Sequence, residues 1–130
     1  MENVGVYRIP IHEYLTIFNH ENGSISLYFA IENDIILAIG EEMNAIREEA
    51  YMNGYNWEAF LNYYLTQNAP EILEEMGTDP EASSYVAFYN DNIKNEEKVK
   101  RFADIIISLV ENKEKIFKIL REHGNDIAWE

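Results

Sequence analysis

The fold is decided first by the stretch EYLTIFNHENGSISLYFAI at residues 13–31. Its Asn22-Gly23 pair is the preferred pair for a tight hairpin turn, because such a turn needs positive φ angles. After the turn, apolar and more polar positions alternate, with Ile25, Leu27 and Phe29 on one face. This period of two is typical of a strand that has one covered face and one wetter face. The stretch therefore predicts a β-hairpin.

Two other segments have strand character. Residues 4–10 precede the hairpin and are predicted to be extended, and residues 84–89 are short, aromatic and β-branched. The apolar run at residues 35–39 is ambiguous, because periodicity cannot separate a buried strand from a helix over so short a distance. The sequence is therefore compatible with either a strand or a helix at residues 35–39.

Helical spacing dominates the middle of the chain. Met43, Ile46 and Ala50 predict a helix over residues 41–52, which Asn53-Gly54 would end. Asn56 is the predicted N-cap of the next helix. The apolar face of that helix follows the full helical repeat: Trp57, Phe60, Leu61, Tyr64 and Leu65. A further short helix is predicted between Pro70 and Gly77, with Ile72, Leu73 and Met76 facing inward.

The last third is also predicted to be helical. One apolar stripe consists of Val99, Phe102, Ala103, Ile106, Leu109 and Val110, and a second of Ile116, Phe117, Ile119 and Leu120. Pairs at i, i+4, Glu96 with Lys100 and Glu97 with Arg101, support the first helix. We therefore predict one α+β domain over residues 1–130, in which an antiparallel sheet is covered by helices on one side.

The charge of the chain is strongly and unevenly negative. It has 24 acidic and 10 basic residues, a net charge of −14. Residues 41–81 hold 10 acids and one base, whereas residues 82–130 hold 9 acids and 8 bases. Proteins that bind nucleic acid or anionic membranes gain affinity by neutralising phosphate, so both classes are disfavoured. Net charge alone can serve solubility, but the regional imbalance favours a basic protein partner.

Localisation follows from three absences in the sequence. The chain has no cysteine, which fits a reducing compartment. No apolar run approaches the ~18 residues of a membrane span, and the first residues lack the features of a signal peptide. We therefore expect a cytoplasmic protein.

The sequence offers no convincing arrangement for chemistry. His12 and His20 lie too far apart on an extended segment to share a metal, and His123 stands alone. The oxygen-rich residues 90–96 lack the glycine of a calcium loop. Glu41 with Glu48, and Glu42 with Glu49, have the spacing of a solvated helix face rather than of an apolar pocket. We expect no enzyme activity, no metal and no cofactor.

One segment carries a family resemblance. It begins with Met52-Asn53-Gly54-Tyr55-Asn56-Trp57-Glu58-Ala59 and continues through Ala69-Pro70-Glu71-Ile72-Leu73 to Thr78-Asp79-Pro80-Glu81-Ala82. Over residues 53–89 it resembles the immunity protein 51 family of bacterial polymorphic-toxin systems. Asn56 stands where the family pattern has Asp, and Ser83-Ser84-Tyr85 where it has a step containing glycine. The resemblance implies an α+β fold and neutralisation of a cognate toxin domain.

The resemblance and the charge together suggest a toxin inhibitor. Within the motif we expect a structural role for Asn53, Gly54, Asn56, Trp57 and Pro80. The side chains that we expect to contact the toxin are Glu41, Glu42, Glu48, Glu49, Tyr51, Tyr55, Glu58, Asp79 and Glu81. The toxin could be a basic nuclease. The alternative is an acidic adaptor that mimics nucleic acid or regulates a host protein, and oligomeric state stays open.

Overall fold

A computed structural model describes residues 7–130, and their side chains from Ile11 onward. Its sheet has five antiparallel strands in the order β1-β2-β3-β5-β4. The strands are β1 (Tyr7–His12), β2 (Leu15–Asn19), β3 (Ile25–Phe29), β4 (Gly77–Thr78) and β5 (Tyr85–Tyr89). The strand predicted over residues 4–10 is thus confirmed from Tyr7 on, while residues 4–6 lie outside the described residues.

The predicted hairpin is formed by β2 and β3. Asn19 pairs with Ile25, and the turn is closed by a hydrogen bond from the His20 N–H to the Ser24 carbonyl (3.0 Å). Gly23 has the positive φ that such a connection requires, at 92°. The hairpin is confirmed, although three residues, 21–23, lie between the hydrogen-bonded His20 and Ser24, rather than the Asn-Gly pair alone. A longer loop of this kind commonly places glycine in the left-handed conformation.

Among residues 7–130, helices lie on only one face of the sheet, which is buried; we call the other face the helix-free face. On β3, Ile25, Leu27 and Phe29 are buried, whereas Tyr28 is 37% exposed. The same alternation continues on β5, where Tyr85 and the following odd-numbered positions are buried. This is the alternation predicted from residues 24–31.

The helices are α1 (Asp34–Ile46), α2 (Gly54–Asn68), α3 (Pro70–Leu73), α4 (Asn92–Glu111) and α5 (Lys113–His123), followed by a 3-10 turn (Gly124–Asp126). The apolar stripes predicted for α2 and α4 are buried, as are Ile116, Phe117 and Leu120 of α5. On the buried face of the sheet, α4 packs mainly on β3 and α2 on β5, while α3 packs against α2 and α4, and α5 against α1 and α4. The α+β class with helices on one side of the sheet is therefore confirmed.

The first helix starts and ends earlier than predicted. Asn33 is its N-cap and accepts a hydrogen bond from the Ile35 N–H, so residues 35–39 are helical. Arg47 is already extended (φ −144°, ψ 121°). The helix predicted over residues 41–52 is therefore wrong beyond Ile46. The reason is that Ile36, Ile39 and Met43 provide the buried stripe, whereas Ala50 is buried from a loop.

Two other local predictions are wrong. Gly77 does not stop a helix, because α3 ends at Leu73, Glu75 takes the left-handed conformation (φ 66°) and Gly77 belongs to β4. Arg101 does not pair with Glu97 either, since its guanidinium binds Glu71 at 2.7 Å. The predicted pair of Glu96 and Lys100 is present at 3.7 Å.

Candidate functional site

The motif around Gly54 joins α2 to the turn at residues 81–84. Asn53 is the N-cap of α2, and its side chain accepts a hydrogen bond from the Asn56 N–H (2.9 Å). The Gly54 N–H donates to the Ala82 carbonyl. A Cβ on Gly54 would overlap the carbonyl oxygens of Glu81 and Ser84. Glycine is therefore required here for close approach of two backbone segments.

Asn56 has a different role from the predicted one. It is not the N-cap but lies inside α2, 1% exposed. Its amide donates to the carbonyls of Tyr51 (2.7 Å) and Glu49 (3.3 Å), and its oxygen accepts from the Glu130 N–H (2.7 Å). The N-cap prediction was wrong because Asn53 takes that position, which leaves Asn56 to hold the loop before α2 and the end of the described chain together.

Trp57 lies in the core, 2% exposed. Its ring meets Phe29 of the sheet and Phe60 of the same helix edge to face, with centroid separations of 5.2 and 6.2 Å. Aromatic contacts of this geometry add to the burial of apolar area, so Trp57 connects α2 to β3. Pro80, the last residue with a predicted structural role, is half-buried in the connection that follows β4.

A shallow groove lies between α1 and the loop that leads to α2. We call it the α1 groove; its volume is about 260 Å³. Its lining consists of Ile31, Glu32, Leu37, Gly40, Glu41, Asn44, Tyr51, Met52, Asn53 and Ala82. Three large apolar or aromatic side chains in and beside it face solvent, with exposed fractions of 44% for Leu37, 70% for Tyr51 and 39% for Tyr55. The groove thus combines apolar and acidic surface.

Internal ion pairs occupy several of the acids in residues 41–81. Two pairs join α3 and the turn after it to α4: Glu71 with Arg101 (2.7 Å) and Glu75 with Lys94 (3.0 Å). Glu42 of α1 pairs with Lys113 of α5 (3.1 Å), and Glu49 pairs with Arg47 in the loop after α1 (3.3 Å). The pKa of the Glu71 carboxyl is lowered by a hydrogen bond from its own backbone N–H and by Arg101, and that of Glu75 by Lys94. These carboxylates already have cationic partners within the chain.

Other acids have no cationic partner within the part of the chain whose side chains the structure describes. Within residues 11–130, no basic side chain lies at ion-pair distance from Glu32, Glu41 or Glu48. Glu32 and Glu41 line the α1 groove, and Glu81 precedes its lining residue Ala82. The α1 groove therefore has two carboxylates without an ion-pair partner among residues 11–130, while other such acids of residues 41–81, Glu58 and Asp79 among them, lie elsewhere on the surface.

The residues predicted to contact a partner do not form a single patch. Glu41 and Tyr51 line the α1 groove, while Asp79 lines a shallow depression on the helix-free face of the sheet. The Glu58 carboxylate accepts a hydrogen bond from the Thr78 hydroxyl. Glu58 also lines a larger cavity of about 640 Å³ between α2 and residues 123–130. Glu48 is exposed in the loop after α1, where its carbonyl accepts from the Asn44 amide.

The larger cavity brings carboxylates together without forming a metal site. Burial, and then the hydrogen bond and charge of Glu58, raise the pKa of the Glu130 carboxyl. His123 faces Asp126 at 3.5 Å on the rim of the same cavity. Among the residues that the structure describes, no group of three or more histidines and carboxylates could hold a metal ion. Within residues 7–130, no helix has the length and apolarity that crossing a membrane requires.

Sequence reasoning missed the apolar part of the α1 groove. Leu37 belongs to the run at residues 35–39, whose secondary structure was open. The available signal was Asn33, because a helix capped there buries Ile36 and Ile39 and directs Leu37 outward. Glu32 was missed because it lies outside the acidic segment at residues 41–81.

Comparison with known proteins identifies the family. The family model described as immunity protein 51 matches residues 15–125, nearly the whole chain. No match is found among curated proteins or among solved structures. The family name denotes an immunity protein, in general an inhibitor of a toxin. The match covers the hairpin, the motif at residues 53–57 and the C-terminal helices, and the chain therefore belongs to the immunity protein 51 family.

Proposed function

We propose that this protein neutralises a cognate bacterial toxin domain by binding it in the cytoplasm of the cell that makes both. The observation that carries the proposal is the match of the immunity protein 51 family over residues 15–125. An inhibitor of this kind needs a complementary surface and no chemistry of its own. We accordingly assign no catalytic residue, metal or cofactor to the chain.

The charge distribution supports a basic partner. The net charge is −14, and the α1 groove is lined by Glu32 and Glu41, which have no basic side chain at ion-pair distance within residues 11–130. A toxin domain that cuts nucleic acid requires a basic surface to hold its substrate. Opposite charge on the two proteins would speed their encounter and disfavour wrong partners. A nuclease domain is therefore the toxin class that fits this surface best.

Co-expression tests the function directly. The toxin domain encoded beside this chain is expressed in bacteria with and without the chain, and growth and complex formation are measured. We expect the toxin alone to stop growth, the chain to restore it, and the two proteins to copurify. Toxicity that persists in the presence of well-folded chain, with no complex, would refute the proposal. Displacement of DNA or RNA from a host protein would instead favour the alternative, an adaptor that mimics nucleic acid.

Association kinetics test whether the partner is basic. The test variant replaces four glutamates of the acidic segment by glutamine: Glu41, Glu42, Glu48 and Glu49. The control variant replaces three glutamates of the C-terminal third: Glu111, Glu114 and Glu122. At low salt the test variant should associate about tenfold more slowly than the parent, with a flatter salt dependence, because steering depends on local potential.

The control should change the association rate much less. An equal fall of the association rate in both variants would mean that the net charge of the protein, rather than a defined acidic surface, speeds its encounter with the toxin. No slowing in either variant would mean that the toxin is recognised through uncharged groups, and would contradict a basic nuclease as the partner.

A further inference from the structure

We propose that the α1 groove holds a lysine or arginine side chain of the toxin domain, and that Tyr51 is the anchor of the interface. This inference rests on the proposed function and assigns the partner's chemistry at one place. Four features of the groove carry it: its size, its mixed lining, its two carboxylates without a base at ion-pair distance in residues 11–130, and the rigid support of Tyr51.

The groove has the size and shape for one long side chain. Its volume of about 260 Å³ lies below the range of ~300–1,000 Å³ that is usual for sites of small organic ligands. At its base α1 approaches the following loop closely, since a Cβ on Gly40 would lie 3.1 Å from the Met52 Cβ. Leu37 and Met52 supply apolar surface on the two sides. Such a slot suits the aliphatic part of a lysine or arginine.

The charge of the groove selects a cation. Glu32 and Glu41 line it, and no basic side chain within residues 11–130 lies at ion-pair distance from either carboxylate. By contrast, the neighbouring Glu42 is already paired with Lys113. An incoming cation would therefore meet free carboxylates beside apolar surface. Charge complementarity of this kind fixes the orientation of a partner and excludes acidic competitors.

Tyr51 is exposed but firmly held. It is 70% exposed, compared with 37% for Tyr28 and 39% for Tyr55. Its backbone carbonyl accepts two hydrogen bonds, from the Asn53 N–H (2.9 Å) and from the Asn56 amide (2.7 Å). An aromatic residue whose backbone is fixed before binding loses little conformational entropy on binding, which is typical of interface hot spots.

The motif residues Asn53 and Asn56 therefore contribute to toxin binding indirectly, through Tyr51. Asn56 is buried and Asn53 is half-buried at the edge of the groove; the Asn56 side chain and the Asn53 backbone N–H both hold the carbonyl of Tyr51. They are positioning residues for that side chain. With a cation bound beside it, the Tyr51 ring can add a cation–π contact to the carboxylate contacts.

Dissociation rates test the groove, with matched controls elsewhere on the surface. Tyr51→Ala is compared with Tyr28→Ala, because Tyr28 is an exposed tyrosine on the helix-free face of the sheet. Glu41→Gln is compared with Glu21→Gln, because Glu21 is exposed in the hairpin turn and its substitution removes the same charge. The probe is the purified toxin domain encoded beside the chain, immobilised for interferometry.

We expect Tyr51→Ala to speed dissociation about 30-fold and Glu41→Gln about fivefold, and each control to change it by less than about twofold. Both groove variants should melt like the parent, because neither side chain is buried. If the parent neither binds nor rescues, the proposed function fails. If the parent binds and rescues while the groove variants dissociate at its rate, only the groove proposal is overturned. An effect of Tyr51→Ala without one of Glu41→Gln would show an apolar occupant and would also overturn it.

Discussion

Replacing Asn56 by alanine should destabilise the protein more than replacing Asn53. Asn56 is 1% exposed and makes three hydrogen bonds through its side chain, to the carbonyls of Glu49 and Tyr51 and from the N–H of Glu130. At about 1 kcal/mol for each hydrogen bond, its removal should cost about 3 kcal/mol. Asn53 supplies one capping bond, so Asn53→Ala should cost about 1 kcal/mol.

Urea unfolding monitored by circular dichroism measures both losses. With a denaturant slope of about 1.5 kcal/mol per molar, the unfolding midpoint should fall by about 2 M for Asn56→Ala and by about 0.7 M for Asn53→Ala. Asn62→Ala is the control on the same helix, since the Asn62 amide donates no side-chain hydrogen bond within the described residues. Its midpoint should stay near that of the parent. Equal losses for Asn53→Ala and Asn56→Ala, or a larger loss for Asn53→Ala, would refute the role assigned to Asn56.

Further variants test other parts of the fold. Trp57→Ala should cost about 3 to 5 kcal/mol in urea unfolding, because the indole is buried; a variant that melts like the parent but no longer binds toxin would place Trp57 in the interface instead. Gly54→Ala should lower stability by about 2 kcal/mol or more, since the new Cβ overlaps two carbonyl oxygens of the turn at residues 81–84, and unchanged stability would contradict that packing. The pKa of Glu71 is lowered in the folded state, so the stabilisation that its carboxylate provides is present above the unfolded-state pKa and is lost as the pH falls through the folded-state pKa. The melting temperature of Glu71→Gln should therefore lie below that of the parent at pH 7 and match it well below the ordinary carboxyl pKa of 4.5. A constant difference in melting temperature across the pH series would argue against the ion pair with Arg101. Thermal unfolding should not change on addition of a chelator, and a fall of several degrees would reveal a structural metal.

Local patterns were enough to predict most elements of this fold. The alternation after Gly23 predicted β3, and the repeat from Trp57 to Leu65 predicted the buried face of α2. These predictions succeeded because periodicity records which side of a segment meets the core, and that information lies within a few consecutive residues. The segment at residues 53–89 likewise carried the family resemblance, which the family match over residues 15–125 confirms.

The sequence alone determined the class of the protein, whereas tertiary structure decided which residues are available to a partner. Composition showed that residues 41–81 are acidic, but it could not show that Glu42, Glu71 and Glu75 face bases from α4 and α5 while Glu41 faces none among residues 11–130. The roles of Asn56 and Arg101 were misassigned for the same physical reason. A side chain binds the partners that the fold brings within reach: Arg101 binds Glu71, which is distant in sequence, and Asn56 binds the N–H of distant Glu130 as well as the nearby carbonyls of Glu49 and Tyr51.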